Sequence, residues 1–195
     1  MPTRLTLISH AATQSQRRAA FSLDEPIEDD ELKKIASLSW QAPRAQQILA
    51  APELRTEQTA EALTLIATPT PELRDLDYGL WRGRTLNDLY ADDAEAIAQW
   101  LTDATATPHH GESIAAVIAR TAAWLNTLHD NGHTIAITHP AIIRSAILHA
   151  LNAPPQSFWR IDISPLTLTD LRHNGRAWTL RSTAIPLSNH DKIDT

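Results

Sequence analysis

The sequence predicts an α/β fold: a three-layer sandwich with a mostly parallel central sheet, helices on both faces and an antiparallel edge. Three observations carry this. Short, mainly apolar runs such as Leu5–Ile8 and "HTIAIT" fit strands buried on both faces. Segments of helical periodicity separate these runs through most of the chain. The last stretch, "FWRIDISPLTLTDLRHNGRAWTLRS", alternates instead and carries Asn174-Gly175, a hairpin signal.

The elements follow in order. Leu5–Ile8 is the first buried strand. Residues 28–38, with Ile27, Leu32, Ile35 and Leu38 at helical spacing, predict a helix. "QQILAAPELRTEQTAEALTLIATP" reads as a strand, then a helix with Pro52 at its first position, closed before Pro69. "PELRDLDYGLWRGRTL" is a polar loop, with short helices following over Leu86–Leu101. "GESIAAVIARTAAWLNTLHDNG" carries Ile114, Val117, Ile118, Thr121, Trp124, Leu125 and Leu128 on one face and ends at Asn131-Gly132. "HTIAIT" is the next buried strand, and "AIIRSAILHAL" an apolar helix stopped by Pro154-Pro155.

The 195 residues fit one domain, 1–195, able to bury a core without staples. A net charge of -6 argues against sequence-independent nucleic-acid binding, which needs a basic face. No apolar stretch is long enough to span a bilayer. The absence of cysteine rules out disulfides and thiolate chemistry and, with no visible signal peptide, predicts a cytoplasmic location. The apolar last strands and Trp178 permit a homodimer without requiring one.

Two of the predicted strands stop on a histidine, His10 and His139, each followed by a helix. Parallel sheets bind ligands at the carboxyl ends of their strands, so both histidines are candidates for one pocket. A histidine that attacks phosphorus needs an aimed neutral nitrogen, cations around the transferring oxygens and an acid for the leaving oxygen. Arg55, at the start of a helix that follows a strand, can supply the cation. Asp75 or Asp77 can supply the acid, and His139 a second donor.

These parts also carry a resemblance. The blocks "LTLISH", "APELRTEQTA", "LRDLDYGLWRG", "HGES" and "AITHPAIIRSA", in that order, resemble the histidine phosphatase superfamily, its phosphoglycerate-mutase-like branch. The resemblance implies a phosphoglycerate-mutase-like fold and a phosphohistidine mechanism that uses neither cofactor nor metal. It aligns His10 with the nucleophile, Arg55 with the second phosphate-binding arginine, Asp75 with the proton donor and His139 with the second pocket histidine. The departures gather at the same pocket. Ser-His-Ala stands for Arg-His-Gly, so Ser9 replaces the first pocket arginine and Ala11 a glycine. Gln16 stands where an asparagine often contacts phosphate, and Asp75 shortens the usual glutamate. Arg82 replaces a glutamate, and Pro140 replaces a glycine and lacks an N–H.

A charge-assisted hydrogen bond is worth about 1.5–3 kcal/mol, and one lost donor costs on the order of 10²–10³ in rate, so losing one arginine need not end catalysis. The expected function is hydrolysis of a small-molecule phosphate monoester on His10, with Asp75 and His139 as catalytic partners. Arg55, Gln16 and Ser9 form the phosphate site; Arg17, Arg82, Trp81 and His110 are candidates for contacting substrate. Trp40, Trp100, Trp124, Trp159 and Trp178 read as core or interface residues. His109-His110 and His129 with His133 lack a carboxylate at ligand spacing, so no metal is expected. An altered pocket also fits two other classes. One is a pseudoenzyme that binds an anionic ligand or a partner; the other is a repurposed enzyme using His10 on a substrate without phosphate.

Overall fold

The computed structural model describes residues 3–128 and 132–187. Within them one sheet contains β1 (Thr3–Ser9), β2 (Gln47–Ala50), β3 (Thr68–Pro69), β4 (His133–Thr138), β5 (Thr167–His173) and β6 (Trp178–Pro186), in the order β3-β2-β4-β1-β5-β6. β3, β2, β4 and β1 run parallel, while β5 and β6 extend the sheet antiparallel beside β1. This is the expected mixed sheet, with the hairpin as its antiparallel edge. Asn174 shapes that hairpin by accepting the amides of Arg176 and Ala177, each at 3.0 Å.

The two-residue period of the strands separates two cores. Leu5 and Leu7 of β1 and Ala136 of β4 face one side, under α4 (Leu86–Thr102), α5 (Ile114–Leu125) and α6 (Pro140–Leu151). Ile8, Ile135 and Ile137 face the other, under α2 (Asp29–Ala36) and α3 (Leu54–Ala62). Burying each such Leu or Ile contributes about 1.5–3 kcal/mol, which is why these runs are mainly apolar. A short α1 (Gln14–Arg17) follows β1, opened by a Thr13–Gln16 capping box.

Several boundaries differ from expectation. α3 begins at Leu54, with Glu53 rather than Ser or Asp before it, so Pro52 lies outside the helix. The short helices expected near Leu86 are present, two of them meeting at non-helical backbone at Asp93 within α4. α5 gives way to a 3-10 turn at Asn126–Leu128; Asn131 and His129 lie outside the described residues. In α2 Leu32 is exposed, and the buried position is taken by Glu31, within 3.6 Å of Lys34. Among the described residues no helix is long and apolar enough to cross a membrane.

Candidate active site

Each of the four parallel strands hands a polar side chain to the same end of the sheet. β1 and β4 pair Ser9 with Thr138, so the next residues, His10 and His139, emerge side by side. Their ring centroids are 5.1 Å apart, and the His10 amide donates to the Thr138 carbonyl at 3.0 Å. β2 ends at Ala50, paired with Ile137, and the chain turns through Glu53 into α3, which carries Arg55. β3 leads through the 3-10 turn Pro71–Leu73 to Asp75.

His10 is buried. Its Nδ1–H donates to the Ala11 carbonyl at 2.7 Å, which leaves Nε2 unprotonated. Burial, then the charges of His139 and Arg55, hold its pKa well below the ordinary value of 6.5. α3 steadies this corner: the Ala11 amide donates to Thr59 Oγ1 at 3.0 Å, and Thr59 donates back to the Arg55 carbonyl. Ala11, in the place of a glycine, fits because its methyl joins the apolar packing of α2 and α3.

Glu53 is the site residue the sequence reading missed. Its Oε2 accepts from His139 Nε2 at 2.8 Å and its Oε1 from the Asp75 amide at 2.9 Å. Burial pushes its pKa up, but the hydrogen bond and charge of His139, with the Asp75 amide, reverse this and hold it at about 2. The available signal was a charged residue next to Pro52 where a strand turns into a helix.

Arg55 is buried; it donates to the Leu23 carbonyl at 2.9 Å and to Asp75 Oδ2 at 2.7 Å. The same Asp75 oxygen lies 3.6 Å from His139 Nδ1, which has no hydrogen bond of its own. Asp75 therefore lies between Arg55 and His139, and it also divides the space. A cavity of about 500 Å³ is lined by His10, Gln16, Phe21, Pro140 and Arg144. A second of about 260 Å³ is lined by Glu53, Arg55, Arg74 and Arg82. Ser22, Asp75 and Tyr78 belong to both.

The acid loop is held from two sides. Gly79, at φ +47°, and Gly111 sit where the loop crosses residues 109–111; a Cβ on either would lie 2.1 or 2.0 Å from a carbonyl oxygen. Arg120 on α5 donates to both oxygens of Glu112, at 2.9 and 2.7 Å, and to the carbonyls of Glu72, Arg74 and Asp75.

The structure sets His10 beside His139, and Asp75 beside both His139 and Arg55; His10, Asp75 and Gln16 line the larger cavity, Asp75 and Arg55 the smaller, and the buried His139 neither. Gln16 Oε1 accepts the Thr13 amide, leaving its NH₂ group to donate. Other candidates fall elsewhere. The Ser9 hydroxyl is buried without a hydrogen-bond partner and lines neither cavity. Arg17 is drawn to Glu28 on the far side of α1. Arg82 lines the smaller cavity beside Arg55. His110 is exposed and lines neither cavity, whereas His109 is buried against Trp81, ring centroids 5.1 Å apart. Trp81, a candidate for contacting substrate, sits behind the cavity in an aromatic cluster with Phe21 and Trp100. Trp100, a core residue as expected, and Trp159, packed against that core, also line the cavity wall. His133 is held between Thr6 and the Arg44 carbonyl at the opposite end of β4.

Known proteins place this site in context. A Salmonella typhimurium adenosylcobalamin/α-ribazole phosphatase is 27% identical over 173 residues, covering 82% of this chain and 85% of its own length. A bifunctional protein of Mycobacterium tuberculosis is 25% identical over 188 residues, 89% of this chain; the chain spans about half (52%) of that relative's length. Among solved structures, the α-ribazole phosphatase of Shigella flexneri superposes with a TM-score of 0.82 at 22% identity, covering 98% of this chain and all of its own. A mycobacterial glucosyl-3-phosphoglycerate phosphatase gives 0.76 at 20% identity, covering 96% and 100%. Both share the fold. The sequence profile of the histidine phosphatase superfamily (branch 1) matches residues 5–186, and the chain belongs to that family.

Proposed function

We propose that the protein is a phosphatase that hydrolyses a small-molecule phosphate monoester through a phosphohistidine on His10. The observation that carries this is the convergence of His10, His139, Arg55 and Asp75 at the ends of four adjacent parallel strands. In this reading His10 Nε2 attacks phosphorus as the bond to the leaving oxygen breaks. Asp75, as the carboxylic acid, gives that oxygen its proton. Asp75, now a carboxylate, takes a proton from water as the water oxygen attacks phosphorus, and the P–N bond breaks to release inorganic phosphate. Arg55, His139 and Gln16 hold the phosphoryl oxygens. The incoming phosphate takes over the guanidinium that Asp75 engages in the free protein; the released carboxylate takes up a proton from the phosphate monoanion, and this is the proton it gives to the leaving oxygen. The relatives' names support a free phosphorylated metabolite as substrate, and we place the enzyme in the cytoplasm.

The test is turnover of an aryl phosphate and of a panel of metabolite phosphates, beside His10→Ala, with acid-quench trapping of labelled phosphate on the protein. Loss of both turnover and label in His10→Ala is expected. Turnover that survives it overturns the mechanism. One observation favours a second reading, a binder of anions without turnover: Asp75 already neutralises Arg55, and no first arginine stands at Ser9. A folded wild-type protein that binds phosphate yet hydrolyses nothing on the panel would establish that reading.

A further inference from the structure

The walls of the His10 cavity are aromatic. Phe21 reaches it on a segment sewn to the acid loop, with the Phe21 amide on the Arg84 carbonyl at 2.9 Å and the Gly83 amide on the Phe21 carbonyl at 2.7 Å. Its ring lies 5.0 Å from Tyr78 and 5.5 Å from Trp100, and Trp100 lies 4.4 Å from Trp159. All four rings line the cavity that contains the nucleophile. Burial keeps the Tyr78 phenol protonated.

Such a cage suits two kinds of guest: a flat ring, which gains edge and face contacts with the wall, or a quaternary cation, which gains cation–π attraction. Arg144 decides between them. It enters the same cavity from α6, with its Nε on the Ile161 carbonyl at 2.8 Å and its guanidinium 5.5 and 5.8 Å from the rings of Phe158 and Trp159. Among the described residues no carboxylate lies within ion-pair distance of it; Asp75 and Asp162 act only at longer range. A positive charge in the wall repels a cationic guest and leaves the ring favoured.

We propose that the leaving alcohol carries an uncharged or anionic aromatic ring that packs between Phe21, Tyr78 and Trp159 while its phosphate meets His10. This rests on the phosphatase reading above. A cavity of about 500 Å³ accommodates one ring with a phosphate ester.

The test compares 2-phenylethyl, 2-cyclohexylethyl, ethyl and choline phosphates, whose oxygens are all insulated from the variable group by two carbons. Expected kcat/KM for the phenyl ester exceeds the cyclohexyl ester about fivefold and the ethyl ester about a hundredfold, with choline phosphate slowest. Trp159→Ala removes the phenyl-over-cyclohexyl preference and Trp159→Phe keeps most of it, folding being followed by circular dichroism. Arg144→Met narrows the gap between the phenyl and choline esters. Equal rates for the phenyl and cyclohexyl esters, or choline phosphate as the best substrate, overturn the inference and leave the phosphatase reading standing. If no ester is hydrolysed the phosphatase reading fails. Calorimetry with 3-phenylpropylphosphonate and 3-cyclohexylpropylphosphonate then decides the inference: tighter phenyl binding that Trp159→Ala abolishes supports it, and equal affinity overturns it.

Discussion

Glu53 Oε2 holds His139 Nε2 at 2.8 Å, and so turns Nδ1 of that ring toward Asp75. One carboxylate thereby sets the orientation of the second histidine, while its other oxygen holds the backbone of Asp75. Glu53→Gln exchanges a charge-assisted bond for a neutral one, a loss of about 1.4 kcal/mol. kcat/KM is expected to fall about tenfold, with wild-type fold by circular dichroism.

The same carboxylate makes stability depend on pH. Its folded pKa of about 2 lies below the ordinary 4.5, so its contribution is fully present above 4.5 and is lost as pH falls toward 2. The difference in urea midpoint between wild type and Glu53→Gln should narrow across that window. A constant difference would mean that Glu53 acts by packing alone.

His10 titrates in the opposite region. Its pKa is depressed below 6.5, so the unfolded chain takes up a proton there before the folded one does, and this contribution to stability fades as pH falls below 6.5. His10 thus stays neutral under mild acid. The His10 ring resonances, followed by NMR, should hold constant from about pH 7.5 to 5.5, where an ordinary exposed histidine titrates.

Asp75 competes with the substrate for Arg55, to which it is bonded at 2.7 Å. Asp75→Asn removes the competing charge and the transferable proton together. Vanadate or inorganic phosphate should bind more tightly, while kcat on an alkyl phosphate falls on the order of 10²–10⁴. Weaker anion binding in this variant would show that the carboxylate organises Arg55 rather than opposing the ligand.

Away from the cavities, Ser9 and Arg120 give contrasting stability predictions. The buried Ser9 hydroxyl has no partner, so Ser9→Ala should raise the melting temperature by about 2–4 °C per kcal/mol recovered. Arg120→Ala strands Glu112 and the acid-loop carbonyls, with an expected loss of about 2–3 kcal/mol in urea unfolding and slower turnover as Asp75 loosens.

The linear pattern of residues carries the mixed sheet, the two strands ending in His10 and His139, and the family, because burial on both faces imposes long-range order as a local apolar pattern. It also brought Arg55, Asp75 and Gln16 forward, since each sits in a recognisable block. The tertiary structure alone decided what faces the ligand. Ser9 is wholly buried and lines neither cavity, although it is the chain neighbour of His10. Helix and loop packing moved Trp81 behind the pocket and Trp100, Trp159 and Arg144 into its wall. Glu53 meets His139, 86 residues further along the chain, only because β2 lies beside β4. Local residue patterns record which side chains are buried; which of them meet depends on strand order and register, fixed by contacts far apart in the chain.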